Sequence, residues 1–362
     1  MKKLFLGLLI SLLLAILVLI VWPEKPYEPT VVDDAYQAQV DAYYLSDMPA
    51  DWTWKSFVTQ DGVRLRWGET GNKESVKATI IVVPGYTASM SMYGEHVGHL
   101  ARAGFHVVGL DLRGQGGSER HRTTQPEKLW VEDFSVYSDD LAAFILSMEG
   151  ATDRPLILTG ISFGGHVATR AIGDHDLSMV DGLYLLAPAW EPKFGDFDRN
   201  MMKSVFNVGR MIGKSKHYMP GEKNWYPHED YKDFTKASME LCSSNEKRLH
   251  LRDTLFVRQP EQRVGGLTVQ WGAEFLESAD YLQRKDYLEA IDLPVTVISA
   301  SYDSYVDNMV ISEVCSNHLG DCMNVIIPET GHCLLQENDN VLNEIYRQAD
   351  ALILRAQTNQ IP

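Results

Sequence analysis

The sequence feature that most constrains the fold lies in residues 156–165, where an apolar run leads into a serine flanked by glycines. The run predicts a buried strand, and the small residues that follow it predict the start of a helix. Ser162 then lies at the tip of a sharp turn, where side chains at positions 160 and 164 would collide with neighbouring elements. The G-x-S-x-G spacing is typical of an exposed, nucleophilic serine. A simple Gly-Ser-Gly turn is the alternative.

Length and charge limit the possible functions. A chain of 362 residues can form one large domain with an insertion, or two domains. The net charge of −16 argues against a nucleic-acid partner and disfavours loose docking on anionic lipid. We therefore expect an acidic surface and no binding of nucleic acid.

The N-terminus has the pattern of a membrane anchor. Lys2 and Lys3 precede an uninterrupted apolar stretch over residues 4–22, which as a helix would span ~28 Å, about one hydrocarbon core. Since residues 1–22 lack a small-residue cleavage site, we predict a retained signal anchor, with a cleaved signal peptide as the alternative. The two lysines would stay in the cytoplasm. We thus expect a tether over residues 23–51 and a folded part outside the cytoplasm, in a bacterial periplasm.

Apolar runs alternate with helical patterns over the rest of the chain. A hairpin is predicted to turn at Asp61-Gly62. Predicted strands lie at 78–83, 105–110, 156–159, 183–187, 295–299 and 324–327, and helices at 92–103, 135–149 and 167–172. This alternation predicts an α/β fold with a mainly parallel sheet and helices on both faces.

Residues 190–275 interrupt the alternation and are rich in aromatic residues and methionine. We predict that this insertion forms a helical lid over an apolar pocket, between core segments 52–189 and 276–356. The alternative is that its apolar residues build a small core of their own. Residues 274–291 are predicted to form one helix that leads back into the sheet.

A nucleophilic serine needs a base and a group that orients the base. Asp303 lies just past one predicted strand, and His332 lies just past the last strand, beside a glycine. The order Ser162, Asp303, His332 allows three side chains to converge on the carboxyl edge of the sheet. Asp307 is an alternative acid, although it begins an apolar segment and suits a helix N-cap.

Two main-chain N–H groups are predicted to stabilise negative charge beside Ser162. Phe163 directly follows the serine and supplies one of them. The second is Tyr86, because Pro84 cannot donate and Gly85 allows a tight turn after the strand. The glycine-rich stretch 110–120 lacks the spacing of a nucleotide-binding loop, so we expect Asp111 and Arg113 to hold loops by a structural ion pair.

The cysteines lack the paired spacing of a zinc site, so no metal site is predicted. Cys315 and Cys322 are close enough in sequence to pair in an oxidising compartment. The remaining cysteines are Cys242 and Cys333. The alternative, given equal weight, is that all four cysteines are buried free thiols.

Five motifs follow one another along the chain in the order PGYTAS, DLRGQGGS, GISFGG, SYDSYVDN and TGHC. With these motifs the chain resembles the α/β-hydrolase superfamily, in its lysophospholipase and monoacylglycerol lipase branch. The resemblance covers roughly residues 52–355 and includes RVGGLTVQW near the end of the insertion. The family often has histidine where this chain has Pro84 and Gln115, and methionine at Phe163. The resemblance implies two-step acyl transfer with Ser162, Asp303 and His332, without metal or organic cofactor.

The expected substrate is a lipid ester with a single acyl chain. A small-ester carboxylesterase, a serine peptidase with the same three residues, and a catalytically silent binding scaffold are the alternatives. The sequence leaves the substrate-binding residues and the oligomeric state open.

Overall fold

The fold is taken from a computed structural model. It describes residues 26–359 except 42, 44, 72–75, 122–123, 149–153, 196 and 228–240, together with residues 17, 18, 20 and 21.

Eight strands form a single sheet in the order β1-β2-β4-β3-β5-β6-β7-β8. The first two pair antiparallel in a hairpin, β2 pairs antiparallel with β4, and every later pairing is parallel. The strands are β1 Thr53–Val58, β2 Arg64–Glu69, β3 Thr79–Val83, β4 His106–Leu110, β5 Leu156–Ile161, β6 Gly182–Leu186, β7 Val295–Ala300 and β8 Cys322–Ile327. The predicted mainly parallel sheet is confirmed, and its centre is buried because continuous apolar strands need cover on both faces.

Eleven helices lie in the described part of the chain. They are α1 Asp34–Asp41, α2 Gly94–Arg102, α3 Ser135–Leu146, α4 Phe163–Asp174, α5 Arg199–Met211, α6 Glu246–Leu249, α7 Leu251–Arg258, α8 Val269–Leu282, α9 Lys285–Glu289, α10 Asn308–Asn317 and α11 Asp339–Asn359. Helices α5 to α9 all lie between β6 and β7. The long interruption of the strand pattern therefore adds helices but no strand to the described sheet.

The single helix predicted for residues 274–291 is wrong. Helix α8 begins earlier, where the Thr268 side chain accepts a hydrogen bond from Trp271 N, as an N-cap does. It ends at Leu282, and Arg284 adopts an extended conformation before α9. The Gln283 side chain donates to Trp190 O (2.9 Å), so a long-range contact accompanies the break.

Part of the insertion forms a small apolar core of its own. Phe206 on α5 packs with Val269 and Leu276 on α8, and Phe194 and Met202 cover this cluster. Other large residues of the insertion join the main core, among them Trp190 and Trp225. Two further aromatic residues of the insertion, Tyr231 and Phe234, lie outside the described part of the chain.

The segment predicted as a tether packs on the main body. Helix α1 contributes Tyr36 and Val40 to the main core. The predicted anchor over residues 1–22 lies almost wholly outside the described residues. Among the helices that the structure does describe, none has the length and apolar character needed to cross a membrane.

Candidate active site

Ser162 lies in a strained turn between β5 and α4. Its φ of +52° is in the left-handed region, which side-chain-bearing residues rarely adopt. The flanking glycines make this turn possible: a Cβ at Gly160 would lie 2.5 Å from Gly165 Cα, and one at Gly164 would overlap Val83 O. A 2.8 Å hydrogen bond from Ser162 N to Leu186 O on the neighbouring strand β6 holds the serine at the end of the sheet pairing. The motif thus sets the serine at the carboxyl end of a central strand.

Three of the predicted site residues form one hydrogen-bonded chain. Ser162 Oγ lies 2.8 Å from His332 Nε2, and His332 Nδ1 lies 2.7 Å from Asp303 Oδ2. The Asp303 side chain is fully buried, and its Oδ1 accepts hydrogen bonds from the N–H groups of Tyr305 and Val306. These bonds keep the carboxylate oriented toward the imidazole. The structure brings the three side chains together from the ends of β5, β7 and β8.

The alternative acid has a different place. Asp307 caps α10, where its side chain accepts a hydrogen bond from Met309 N at 2.8 Å. This N-cap role agrees with the interpretation of the apolar segment that follows it. In the structure the His332 ring contacts the carboxylate of Asp303.

His166, the histidine nearest to Ser162 in sequence, belongs to the core. It is fully buried, with Nδ1 3.0 Å from Ala189 O and Nε2 2.7 Å from Ser278 Oγ. Burial lowers the pKa of His166 to about 3, so this ring is neutral at physiological pH. His96 is likewise buried, and burial lowers its pKa to about 4. Neither ring is available as a base for Ser162.

The loop that follows β3 lies against the serine. A Cβ added to Gly85 would lie 3.3 Å from Ser162 Cβ, so the loop backbone passes close to the nucleophile. Phe163 begins α4, where the first N–H groups of a helix have no partner within the helix. Tyr86 N and Phe163 N donate to no described residue. Their roles in stabilising negative charge stay predictions.

Sequence reasoning missed the part that Gln115 takes in this loop. Gln115 is fully buried; its Oε1 accepts a 2.5 Å hydrogen bond from Thr87 N, and its Nε2 donates to Gly85 O at 3.4 Å. One side-chain amide thereby ties the residues on either side of Tyr86 to the stretch 110–120. No local pattern signals this contact, because it depends on two loops meeting across the sheet edge.

Asp111 and Arg113 hold the stretch 110–120 in place, but the predicted single ion pair is wrong, because Asp111 pairs with Arg66 whereas Arg113 pairs with Asp61 and Asp140. Asp111 accepts from Arg66 Nε at 2.6 Å and from Met90 N at 2.7 Å. Arg113 makes two 2.7 Å hydrogen bonds to Asp140 and also contacts Asp61. The hydrogen bond from Arg113 holds the pKa of Asp61 well below its usual range. Asp111 therefore ties the stretch 110–120 to β2 and to the loop at Met90, whereas Arg113 ties it to α3.

Aromatic side chains fill the space behind Phe163. Its ring lies 5.1 Å from those of Tyr137 and Trp271, and Phe134 and Phe275 complete the cluster. Trp271 also contacts the Tyr86 ring, at 4.6 Å. Since Phe163 and Trp271 are almost wholly buried, this side of the nucleophile is a packed wall and not open space.

Both pairs of cysteines form disulfides. Cys315 joins Cys322, with Cα atoms 5.2 Å apart, which agrees with one of the two expectations. Cys242 joins Cys333, with Cα atoms 4.8 Å apart and a sequence separation of 91. This second bridge was not foreseen, and it lies directly beside His332. Within the described residues, no cluster of three or more histidine, cysteine or acidic side chains could hold a metal ion.

Comparisons with known proteins agree with this architecture. The probable lysophospholipase L2 of Haemophilus influenzae is 21% identical over 282 residues, which are 77% of this chain and 84% of that protein. Lysophospholipase L2 of Escherichia coli (strain K12) is 24% identical over 243 residues, 65% of this chain and 66% of that protein. A soluble variant of monoglyceride lipase from Saccharomyces cerevisiae aligns with a TM-score of 0.64 at 15% identity, over 92% of this chain and 98% of that chain.

The chain also matches the model of a whole family. Residues 74–339 match the family described as serine aminopeptidase, S33. This range contains the strained turn at Ser162 and the loops that carry Asp303 and His332. The chain therefore belongs to the serine aminopeptidase S33 family of α/β hydrolases, in a branch similar to lysophospholipases and monoglyceride lipases.

Proposed function

We propose that this protein is a serine ester hydrolase that cleaves a lipid carrying a single acyl chain. The observation that carries the proposal is the continuous hydrogen-bonded chain from Ser162 Oγ through the His332 ring to Asp303. A serine hydroxyl is a weak nucleophile, and a base within 2.6–3.2 Å that is itself held by a third group is what activates it. The choice of lipid rests on the lysophospholipase L2 and monoglyceride lipase similarities.

The proposed reaction has two acyl-transfer steps. His332 Nε2 takes the proton from Ser162 Oγ as the oxygen attacks the ester carbonyl, and Asp303 stabilises the imidazolium that forms. The N–H groups of Tyr86 and Phe163 hold the oxyanion, a contribution of about 3–4 kcal/mol for each donor in other enzymes. The imidazolium then protonates the leaving alcohol. Water activated by the neutral imidazole attacks the acyl-enzyme and releases the fatty acid.

A peptidase or small-ester esterase with the same residues is the second candidate. The family description, serine aminopeptidase, favours a peptidase specifically. The same nucleophile, base and oxyanion donors serve amide hydrolysis, because both reactions pass through a tetrahedral oxyanion. Substrate preference, and not the catalytic residues, separates these functions.

A substrate panel tests the proposal. We expect release of fatty acid from lysophosphatidylcholine or monoacylglycerol, and higher kcat/KM on long-chain than on acetyl nitrophenyl esters. An additional buried methylene stabilises binding by about 0.8 kcal/mol, so each one that the site accommodates should raise kcat/KM by about fourfold. Aminoacyl nitroanilides serve as the peptidase substrates, and the Ser162→Ala protein gives the background rate. Faster turnover of the nitroanilides, or a preference for acetyl esters, would contradict the lipid assignment.

We also propose that residues 1–22 anchor the protein in a membrane, with residues 190–275 forming a lid over the substrate. Two disulfides favour an oxidising compartment, and hence a location outside the cytoplasm.

A fractionation experiment tests the anchor. We expect full-length protein in alkali-washed membranes of expressing bacteria, and we expect it to be sensitive to protease added to spheroplasts. A variant without residues 1–22, directed to the periplasm by a cleavable leader, should be released by osmotic shock. Release of the full-length protein in the same shock fraction would overturn the anchor.

A further inference from the structure

The loop that carries His332 rests on residues 241–248, a segment within the insertion, which we call the return segment. His332 N donates to Leu241 O at 3.3 Å, and Cys333 N donates to Cys242 O at 2.8 Å. The approach is so close that a Cβ at Gly331 would lie 2.7 Å from Cys242 O. The Cys242–Cys333 disulfide closes this contact covalently, one residue beyond the imidazole.

Further hydrogen bonds continue the contact along the same loop. Ser243 Oγ donates to Gln336 O at 2.8 Å, and Ser244 Oγ donates to Glu337 at 2.6 Å. Arg248 Nη1 donates to Glu337 O at 2.8 Å. The loop is thus supported from outside along its length, and the return segment is the support that reaches His332 itself.

The other side of the loop is anchored before His332 by hydrogen bonds and after it by Leu334 and Leu335, which are buried in the main core. Tyr302 N donates to Thr330 O at 3.0 Å, and Thr330 Oγ1 donates to Ile327 O at 2.9 Å. The main-chain bond that His332 N makes to the return segment is long at 3.3 Å and weak on its own. The imidazole must nevertheless meet Ser162 and Asp303 at the same time. The hydrogen bonds of His332 N and Cys333 N alone would let the loop move relative to the return segment, and the disulfide at Cys333 restricts that movement.

The geometry points to the Cys242–Cys333 disulfide as a positioning element for the His332 base, an inference that rests on the proposed function of the site. The disulfide does not take part in bond making. It holds the loop so that the imidazole meets Ser162 and Asp303 together. A dithiol can reduce the bridge to two cysteine thiols and is itself oxidised to a disulfide. We expect this reduction to let the His332 ring leave its position while the sheet stays folded.

The second disulfide provides a matched control. Cys315–Cys322 joins α10 to the start of β8, whereas the His332 loop follows the end of that strand, about 16 Å away along it. The variant C315S/C322S therefore retains only the bridge beside His332, and C242S/C333S retains only the distant one. A reductant acts on one known bond in each variant.

The experiment measures kcat, KM and the pH profile of nitrophenyl ester hydrolysis for both variants, with and without dithiothreitol. We expect reduction of C315S/C322S to lower kcat by roughly tenfold to hundredfold, with KM unchanged, since a displacement of about 1 Å in a catalytic group has that effect. Reoxidation should restore the rate. C242S/C333S should already have the lower kcat and should not respond to dithiothreitol.

Two further measurements keep the test decisive. Circular dichroism and a count of free thiols establish that the reduced C315S/C322S protein is folded and fully reduced, even if C242S/C333S does not fold. The low-field proton resonance of the His332–Asp303 hydrogen bond reports ring geometry without turnover, and we expect reduction to weaken it. An unchanged kcat and an unchanged resonance in the folded, reduced protein would overturn the inference. Absence of any hydrolysis by the oxidised wild type would instead reject the proposed function, and the resonance alone would then decide whether the disulfide positions the ring.

Discussion

Replacing Ser162 with alanine is expected to lower kcat on any ester by up to about a millionfold, the loss seen when a serine hydrolase loses its nucleophile. No neighbouring side chain can substitute for it, because Ser162 Oγ is the atom 2.8 Å from the His332 base. The change removes one oxygen and keeps the turn, whose geometry depends on the flanking glycines. Labelling of wild type and variant by a fluorophosphonate probe, measured beside the rate, reports the activated serine directly.

Ser204 provides the matched control for that experiment. Its hydroxyl donates to Asn200 O within α5 at 2.8 Å, so it satisfies a helix carbonyl, whereas the Ser162 hydroxyl faces the His332 ring. Ser204→Ala should keep both the label and the rate. Equal labelling of Ser162→Ala and wild type would place the nucleophile elsewhere. A folded wild type that takes no label would favour the silent scaffold.

Replacing Asp303 with asparagine is expected to lower kcat by about ten thousandfold, as loss of the carboxylate does in other enzymes with this arrangement. An amide would present an N–H group or a neutral oxygen to His332 Nδ1, so it could not stabilise the imidazolium or hold the productive tautomer. Because Asp303 Oδ1 also accepts two main-chain N–H groups, asparagine retains an oxygen for those bonds. The loss should therefore appear in kcat more than in the melting temperature.

Asp307→Asn is the paired variant, since the two acids are four residues apart in the same connection. Asparagine is as good an N-cap as aspartate, so α10 should keep its first turn and the enzyme should keep its rate. A large loss for Asp307→Asn together with a small loss for Asp303→Asn would reassign the acid. Steady-state rates of the two variants at one pH decide between them.

Much of this architecture follows from local sequence patterns. Short continuous apolar runs such as Thr79–Val83, alternating with helical patterns, predict strands covered on both faces, and glycine at positions 160 and 164 allows a tight approach of backbones. Chain order then assigns Ser162, Asp303 and His332 to the ends of parallel strands, which share an edge. The hairpin at Gly62, where φ is +87°, follows from the turn residues alone.

Other features depend on contacts between segments that are remote in sequence. Gln115 binds Gly85 and Thr87 across two loops, and no periodicity encodes that meeting. The break after Leu282 accompanies the contact of Gln283 with Trp190, 93 residues away. The pairing of Cys242 with Cys333 likewise depends on where the insertion returns to the sheet edge, which sequence spacing cannot express.

The two bridges also impose an order on oxidative maturation. Cys333 lies eleven residues from Cys322 but 91 from its structural partner Cys242. Closing the shorter loop costs about 2 kcal/mol less chain entropy, so an unfolded chain that oxidises at random favours the wrong pair. Early closure of Cys315–Cys322, only seven residues apart, removes that competitor. Recombinant production therefore calls for a compartment or a refolding buffer in which thiols and disulfides exchange freely until the chain has folded.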